Sequence, residues 1–239
     1  MTKLFYTLII VFSALNPAKD AFTQPGREWN DPAFSPRLAG EVVNYNVPSR
    51  GSQYLFQDWL PGTVYLHSGA KVSVAGLRYN GHRNTIIWRH PKTHNHIRLD
   101  DKLIKEFEII HPQRKARFIR FTAPGSRDPV WAECLYVDEI SLLADRKISQ
   151  TGSLVQQHEG SMVSLPVLEP RPRYYVVNAK GDTTRISRLN RRNLQNAFPG
   201  DERAVRELLR ENSLRVQNET ELVAAIRLIN SMLTRESNN

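Results

Sequence analysis

The sequence predicts an α+β protein: an antiparallel β meander, curled into a small barrel-like sheet, followed by a C-terminal helical segment. Three observations lead there. From Tyr54 to Ile148 short apolar runs alternate with turn residues at hairpin spacing. Several of these runs, such as Arg117-Phe-Ile-Arg-Phe121, alternate polar and apolar residues as a half-buried strand requires. Past Ser187 the apolar period lengthens to that of a helix.

Taken in order, the chain opens on Lys3 and an uncharged apolar run, Leu4 to Leu15, broken by Asn16 and Pro17. Ala21-Phe22-Thr23 then places small residues at the two positions a signal peptidase reads. The run is short for a bilayer span and suits a secretory leader, so residues 1–23 read as a signal peptide, with an uncleaved anchor as the alternative. No Cys lies near the cut, which excludes a lipoprotein anchor, and no later apolar run has the length of a transmembrane segment. The expectation is an exported, soluble protein, periplasmic or associated with the cell surface. Residues 24–50, rich in Pro, Asn, Arg and Gly without periodicity, read as an extended lead-in.

Residues 51–148 read as the antiparallel β module. Its strands are expected around Thr63–Leu66, Lys71–Tyr79, Asn84–Arg89, His96–Leu99, Ile104–Ile110, Ala116–Phe121, Val130–Val137 and Glu139–Leu143. Asn80-Gly81 is the strongest hairpin signal among the turns. A sheet of this kind curls into a barrel or half-barrel to cover its edges. Residues 149–170, carrying Ser, Gln, Gly and Pro, read as a linker or flexible loop. Residues 171–239 read as a β-hairpin, from Arg173-Tyr-Tyr-Val-Val, plus a helical tail. Ser187 is the expected cap of a helix through Ala197, and Asp201 that of a second. Asn218 with Glu221 makes a capping-box start for a third, striped by Leu222, Val223, Ile226, Ile229 and Leu233.

The 239 residues include 33 Lys and Arg against 24 Asp and Glu, a net charge of +9. A single cysteine, Cys134, permits no internal disulfide, so the core must hold without crosslinks. Its place in an apolar run marks it as a packing residue rather than a nucleophile. Arg185, Arg188, Arg191 and Arg192 cluster around the first helix, the last three on one helical face. That face can meet an anionic polysaccharide, a glycolipid or an envelope protein, or can simply be a solvated surface. Nucleic acid is not an expected partner of an exported chain. Arg203, Arg206 and Arg210 repeat the pattern with Glu202, Glu207 and Glu211 interleaved.

The alternative chemistry is metal-dependent. His90, His94, His96 and Asp100 lie in one stretch, and His94 and His96 share a face if that stretch is a strand. The His-x-His resembles part of the cupin metal motif, without that motif's glycines or downstream histidine. No Gly-x-Ser-x-Gly elbow, converging carboxylate pair or phosphate loop is present, and no cofactor is implied. Tyr54, Phe56, Trp59 and Tyr65 can stack on sugar rings or plug the open end of a small barrel.

The run Gly51-Ser-Gln-Tyr-Leu-Phe-Gln-Asp-Trp-Leu-Pro-Gly-Thr-Val64, with Leu77-Arg-Tyr-Asn80 and Arg173-Tyr-Tyr-Val176, resembles a group of uncharacterised exported proteins of Bacteroidetes-type bacteria. The resemblance spans about residues 51–233. It implies residence in the periplasm or at the surface and no particular activity. Together these readings point to a non-enzymatic envelope binding module for an anionic or protein partner, with a hydrolase using the His90–Asp100 segment as the alternative.

Overall fold

The computed structural model describes residues 38–45, 48–158 and 161–237. The leader and most of the lead-in lie outside these residues.

All eight strands expected in the β module form. They are β2 (Leu60–Leu66), β3 (Lys71–Asn80), β4 (Thr85–Arg89), β5 (His96–Leu99), β6 (Ile104–His111), β7 (Arg114–Phe121), β8 (Val130–Val137) and β9 (Ser141–Asp145). The lead-in adds a short strand, β1 (Gly40–Val42), beside β5, and β12 (Arg173–Val177) and β13 (Thr183–Ile186) extend the other end. The sheet of eleven antiparallel strands runs β1-β5-β4-β3-β2-β6-β7-β8-β9-β12-β13. It is therefore two meanders set back to back: the chain leaves β5 near one edge and returns to lay β6 against β2, with Val64 opposite Phe107.

Inward-facing residues change parity along β3 and β6, because each strand carries an irregularity in register. In β3 Val72 and Val74 face in before it and Leu77 and Tyr79 after it. In β6 Ile104 gives way to Phe107 and Ile109. An extra residue in one strand bends it and increases local twist, which is what a curled sheet needs. The curl is measurable. Tyr79 in β3 and Trp131 in β8 are four strand spacings apart, about 19 Å on a flat sheet. The Tyr79 hydroxyl nevertheless donates to the Trp131 carbonyl at 3.3 Å. Tyr79 also packs on Phe107 and Phe118, and Phe107 on Trp131, all buried. Since β1 and β13 remain at the two ends, the sheet is a half-barrel rather than a closed one.

The Asn80-Gly81 hairpin forms with a four-residue loop. The Asn80 side chain accepts hydrogen bonds from the backbone N–H groups of His82 and Arg83, and Asn84 adopts φ 54°. Gly81 is needed for another reason: a Cβ there would lie 2.3 Å from the Arg146 carbonyl oxygen, where the chain leaving β9 passes over the loop.

Residues 149–170 are not a linker. They form most of a two-stranded antiparallel ribbon of β10 (Ile148–His158) and β11 (Ser161–Pro170). Leu154, Val155, Met162 and Val163 are all exposed. Neither face of this part of the ribbon packs on a core, so nothing imposes the alternation that reveals a half-buried strand.

The tail contains α1 (Arg191–Gln195), α2 (Glu202–Glu211) and α3 (Glu219–Ser237). At the start of α3 the Asn218 side chain accepts from the Glu221 N–H at 2.8 Å, and Glu221 accepts from the Gln217 N–H at 3.1 Å. This is the reciprocal satisfaction of orphan donors expected of a capping box. The Asp201 side chain makes no cap bond; Glu202 accepts from the Gly200 N–H instead. Leu222, Ala225, Ile226 and Ile229 bury against Leu142, Ala144, Tyr174 and Val176, and so cover one face of β9 and β12. Each fully buried Leu or Ile side chain contributes about 1.5–3 kcal/mol. Asn230 locks the far end, accepting from the Ile140 N–H and donating to Asp138.

Between the half-barrel core and the helix-covered core lies a charged seam. Glu133, 1% exposed, pairs with Arg114 and Arg146, and Arg146 forks onto Glu219 at the start of α3, which also accepts from the Tyr174 hydroxyl.

Candidate functional site

The basic cluster foreseen around residues 185–192 takes a different form from a single helical face. The helix expected from Ser187 to Ala197 is only Arg191–Gln195, capped by Asn190, whose side chain accepts from the Asn193 N–H at 2.8 Å. Arg188 lies before that cap, in a bend that Asn193 holds by donating to its carbonyl at 3.1 Å. Arg185 sits exposed on the edge strand β13 and is not among the residues that line the site.

Arg188, Arg191 and Arg192 are brought together in a recess of about 1010 Å³, completed by Ser187, Asn190, Asn193, Asn196, Arg215 and Gln217. The second wall comes from the turn between α2 and α3, 23 residues along the chain from Arg191. There α2 ends in a Schellman pair: the Leu214 N–H donates to the Leu209 carbonyl and the Ser213 N–H to that of Arg210. Ser213 has φ 54° and Val216 φ 61°. A β-branched residue in the left-handed region is strained by roughly 1–3 kcal/mol, and Val216, fully buried, is held there by the helical core. Its neighbours Arg215 and Gln217 are thereby set in the recess wall. The two walls are joined directly, because the Arg191 Nε–H donates to the Leu214 carbonyl.

The lining is one-sided in charge. Four arginines and four amide side chains meet there, and among the described residues no carboxylate lines the recess. Among the described residues Arg188, Arg192 and Arg215 form no ion pair. Arginine forks bind carboxylate, sulfate and phosphate groups with two parallel hydrogen bonds, and amides supply both donors and acceptors for hydroxyls. By contrast Arg203, on α2, is engaged by Glu207 at 3.3 Å. A second recess of about 650 Å³, holding Asp100 and Asp101 with Arg98, Lys102 and Arg120, carries both signs of charge. Arg98 pairs there with Glu41 and Arg120 with Asp101.

The residues of the metal-binding alternative are not brought together in the fold. His90 turns its Nδ1 back to accept from the N–H groups of Lys92 and Thr93, so it serves the β4–β5 turn. His94 occupies that turn at φ 57°. His96 packs on Trp59 with ring centroids 4.8 Å apart, and Asp100 accepts from the Lys102 N–H. Among the described residues no group of three or more His, Cys, Asp or Glu side chains is placed to hold a metal ion. The sequence stretch is contiguous, but a hairpin turn splits it before the strand that would align two of its histidines.

The aromatic run before β2 divides its work. Leu55 and Phe56 pack against the half-barrel core, and Phe56 stacks on His111, while Tyr54 and Trp59 flank Arg78. Tyr65 donates to Glu108 at 2.9 Å. Burial pushes the Cys134 thiol above its ordinary value, which suits a packing residue. Sequence reasoning missed the lining amides Asn190, Asn193 and Asn196 and, on the second wall, Arg215 and Gln217. The only local signal of the last two is that they precede the capping box of α3. No helix among the described residues is long and apolar enough to cross a membrane. No protein-family model, curated protein or solved structure matches the chain.

Proposed function

We propose that this chain is an exported envelope protein acting as a non-enzymatic binding module, and that its partner is an anionic polysaccharide or the anionic head of a glycolipid. The carrying observation is the recess in which Arg188, Arg191, Arg192 and Arg215 gather with no carboxylate among them. Holding like charges together without counter-charge is unfavourable, and an anionic partner relieves it. The volume lies at the top of the range for small-molecule sites, and its exposed rim arginines suit a segment of polymer. Amides beside the arginines fit a ligand that carries hydroxyls as well as charge.

Salt titration tests the reading. Binding of the mature chain to immobilised heparin, as a polyanion probe, is expected to weaken steeply as salt rises past about 0.1 M, where the screening length falls to about 10 Å. Arg188→Gln with Arg192→Gln and Arg215→Gln should weaken it by tenfold or more, at about 0.5–1 kcal/mol for each exposed ion pair. Unchanged affinity in the triple variant rejects the recess. Recovery of the chain from the envelope with Gln24 as its first residue tests the export reading independently.

A further inference from the structure

The outer face of β3, β4 and β5 carries a second cationic cluster, which serves neither the recess nor the cores. Arg89 in β4 lies directly opposite His96 in β5. On the other side Arg89 faces Gly76 in β3, where a Cβ would lie 3.1 Å from the Arg89 Cβ. The indole of Trp59 lies in ordinary contact distance of the same position, 3.8 Å from it. Trp59 reaches both His96, at 4.8 Å between ring centroids, and Arg78, whose guanidinium carbon is 4.3 Å from the indole centre. Tyr54 takes another side of the same guanidinium at 4.9 Å.

The charge of Asp58 and the Tyr54 hydroxyl both act on Arg78, yet among the described residues no carboxylate closes an ion pair with Arg78, Arg89 or His96. The Arg78 Nε–H is buried with no hydrogen-bond partner among the described residues. A buried donor without an acceptor is costly, and such groups are uncommon in folded proteins. Burial first, then the charges of Arg78 and Arg89, holds the His96 imidazole below its ordinary value. Rings that could have been packed against apolar neighbours are instead spent on ordering a cation. Three adjacent strands each place one nitrogen-bearing side chain on this face, and three separate donors match the several oxygens of a tetrahedral oxyanion.

We propose that Arg78, Arg89 and His96, ordered by Trp59, form a binding site for a phosphoryl group. The group is inorganic phosphate itself or a phosphate ester on a larger molecule. This site is independent of the arginine recess.

Nuclear magnetic resonance on the mature chain tests it, following the Trp59 indole and His96 imidazole signals with Trp88 and His111 as internal references. Addition of inorganic phosphate or of glucose 6-phosphate is expected to move the Trp59 and His96 signals, while acetate leaves them in place. Response to both phosphates places recognition in the phosphoryl group alone; response to the ester only places it in a larger ligand. Arg89 is exposed, so Arg89→Gln should keep the fold, checked by an unchanged urea midpoint, and weaken binding about tenfold, the loss of one charge-assisted hydrogen bond. Arg188→Gln with Arg192→Gln should bind phosphate as the parent does, which separates this proposal from the recess. Signals unmoved by both phosphates, equal affinity in Arg89→Gln, or an equal response to acetate each overturn it.

Discussion

Replacing Glu133 by Gln removes one negative charge from the seam that joins the half-barrel to the helical layer, at almost constant volume. Glu133 is 1% exposed and accepts from two guanidiniums, Arg114 and Arg146. The side chain of Arg146 is itself 9% exposed, so water replaces little of what it loses. Breaking a buried ion pair outright costs about 3–5 kcal/mol. Two features reduce that here. The amide oxygen of Gln still accepts one hydrogen bond, and Arg146 keeps its fork onto Glu219 at 2.6 and 2.9 Å. Arg114 is more exposed and can be rehydrated. The expected loss is therefore about 2–3 kcal/mol. With a urea slope of about 2–3 kcal/mol/M, the unfolding midpoint should fall by about 1 M. Glu106→Gln on the outer face, where Glu106 pairs with the exposed Arg117, is the control and should cost under about 1 kcal/mol. A Glu133→Gln loss no larger than that of the control would refute the argument that this seam couples the two layers.

Three further outcomes follow from other parts of the molecule. Burial works to raise the Glu219 carboxyl, but Arg146 and Tyr174 outweigh it and hold the group below its ordinary value; Lys115 and Tyr65 do the same for Glu108. A carboxyl depressed on folding stabilises the protein above its unfolded value of 4.5, and that stability is lost as pH falls through the folded value. Urea midpoints should accordingly drop on acidification below about pH 4.5, and less so in Glu219→Gln. Ser213→Gly, at an exposed left-handed position closing α2, should raise stability by about 0.5–1 kcal/mol in the same assay. Trp131→Ala should cost about 3–5 kcal/mol, since the ring is fully buried at the centre of the half-barrel and its indole N–H donates to Asp101; thermal unfolding would show it.

The histidine stretch and the arginine cluster show how differently two sequence signals survive folding. His90, His94 and His96 are close in sequence, yet a turn takes the first two for its own backbone. Arg188, Arg191 and Arg192 were expected on one helix, and they meet although only two of them are helical. Asn193 holds Arg188 beside the other two, and Arg215 joins them because Arg191 reaches the Leu214 carbonyl across the tail. The ribbon of β10 and β11 is not legible in the sequence because periodicity records burial of one face, and much of this element buries neither.

Local chemistry was enough to determine the strands of the β module and the start of α3. Alternating side chains and a capping box act over a few residues, and the energies that favour them do not depend on what lies across the molecule. Tertiary structure alone decided that β6 pairs with β2, that the sheet curls until Tyr79 meets Trp131, and that Arg215 joins Arg188. Each of these is a contact between distant parts of the chain, and its sequence cost is a long loop closure repaid only when the whole core forms.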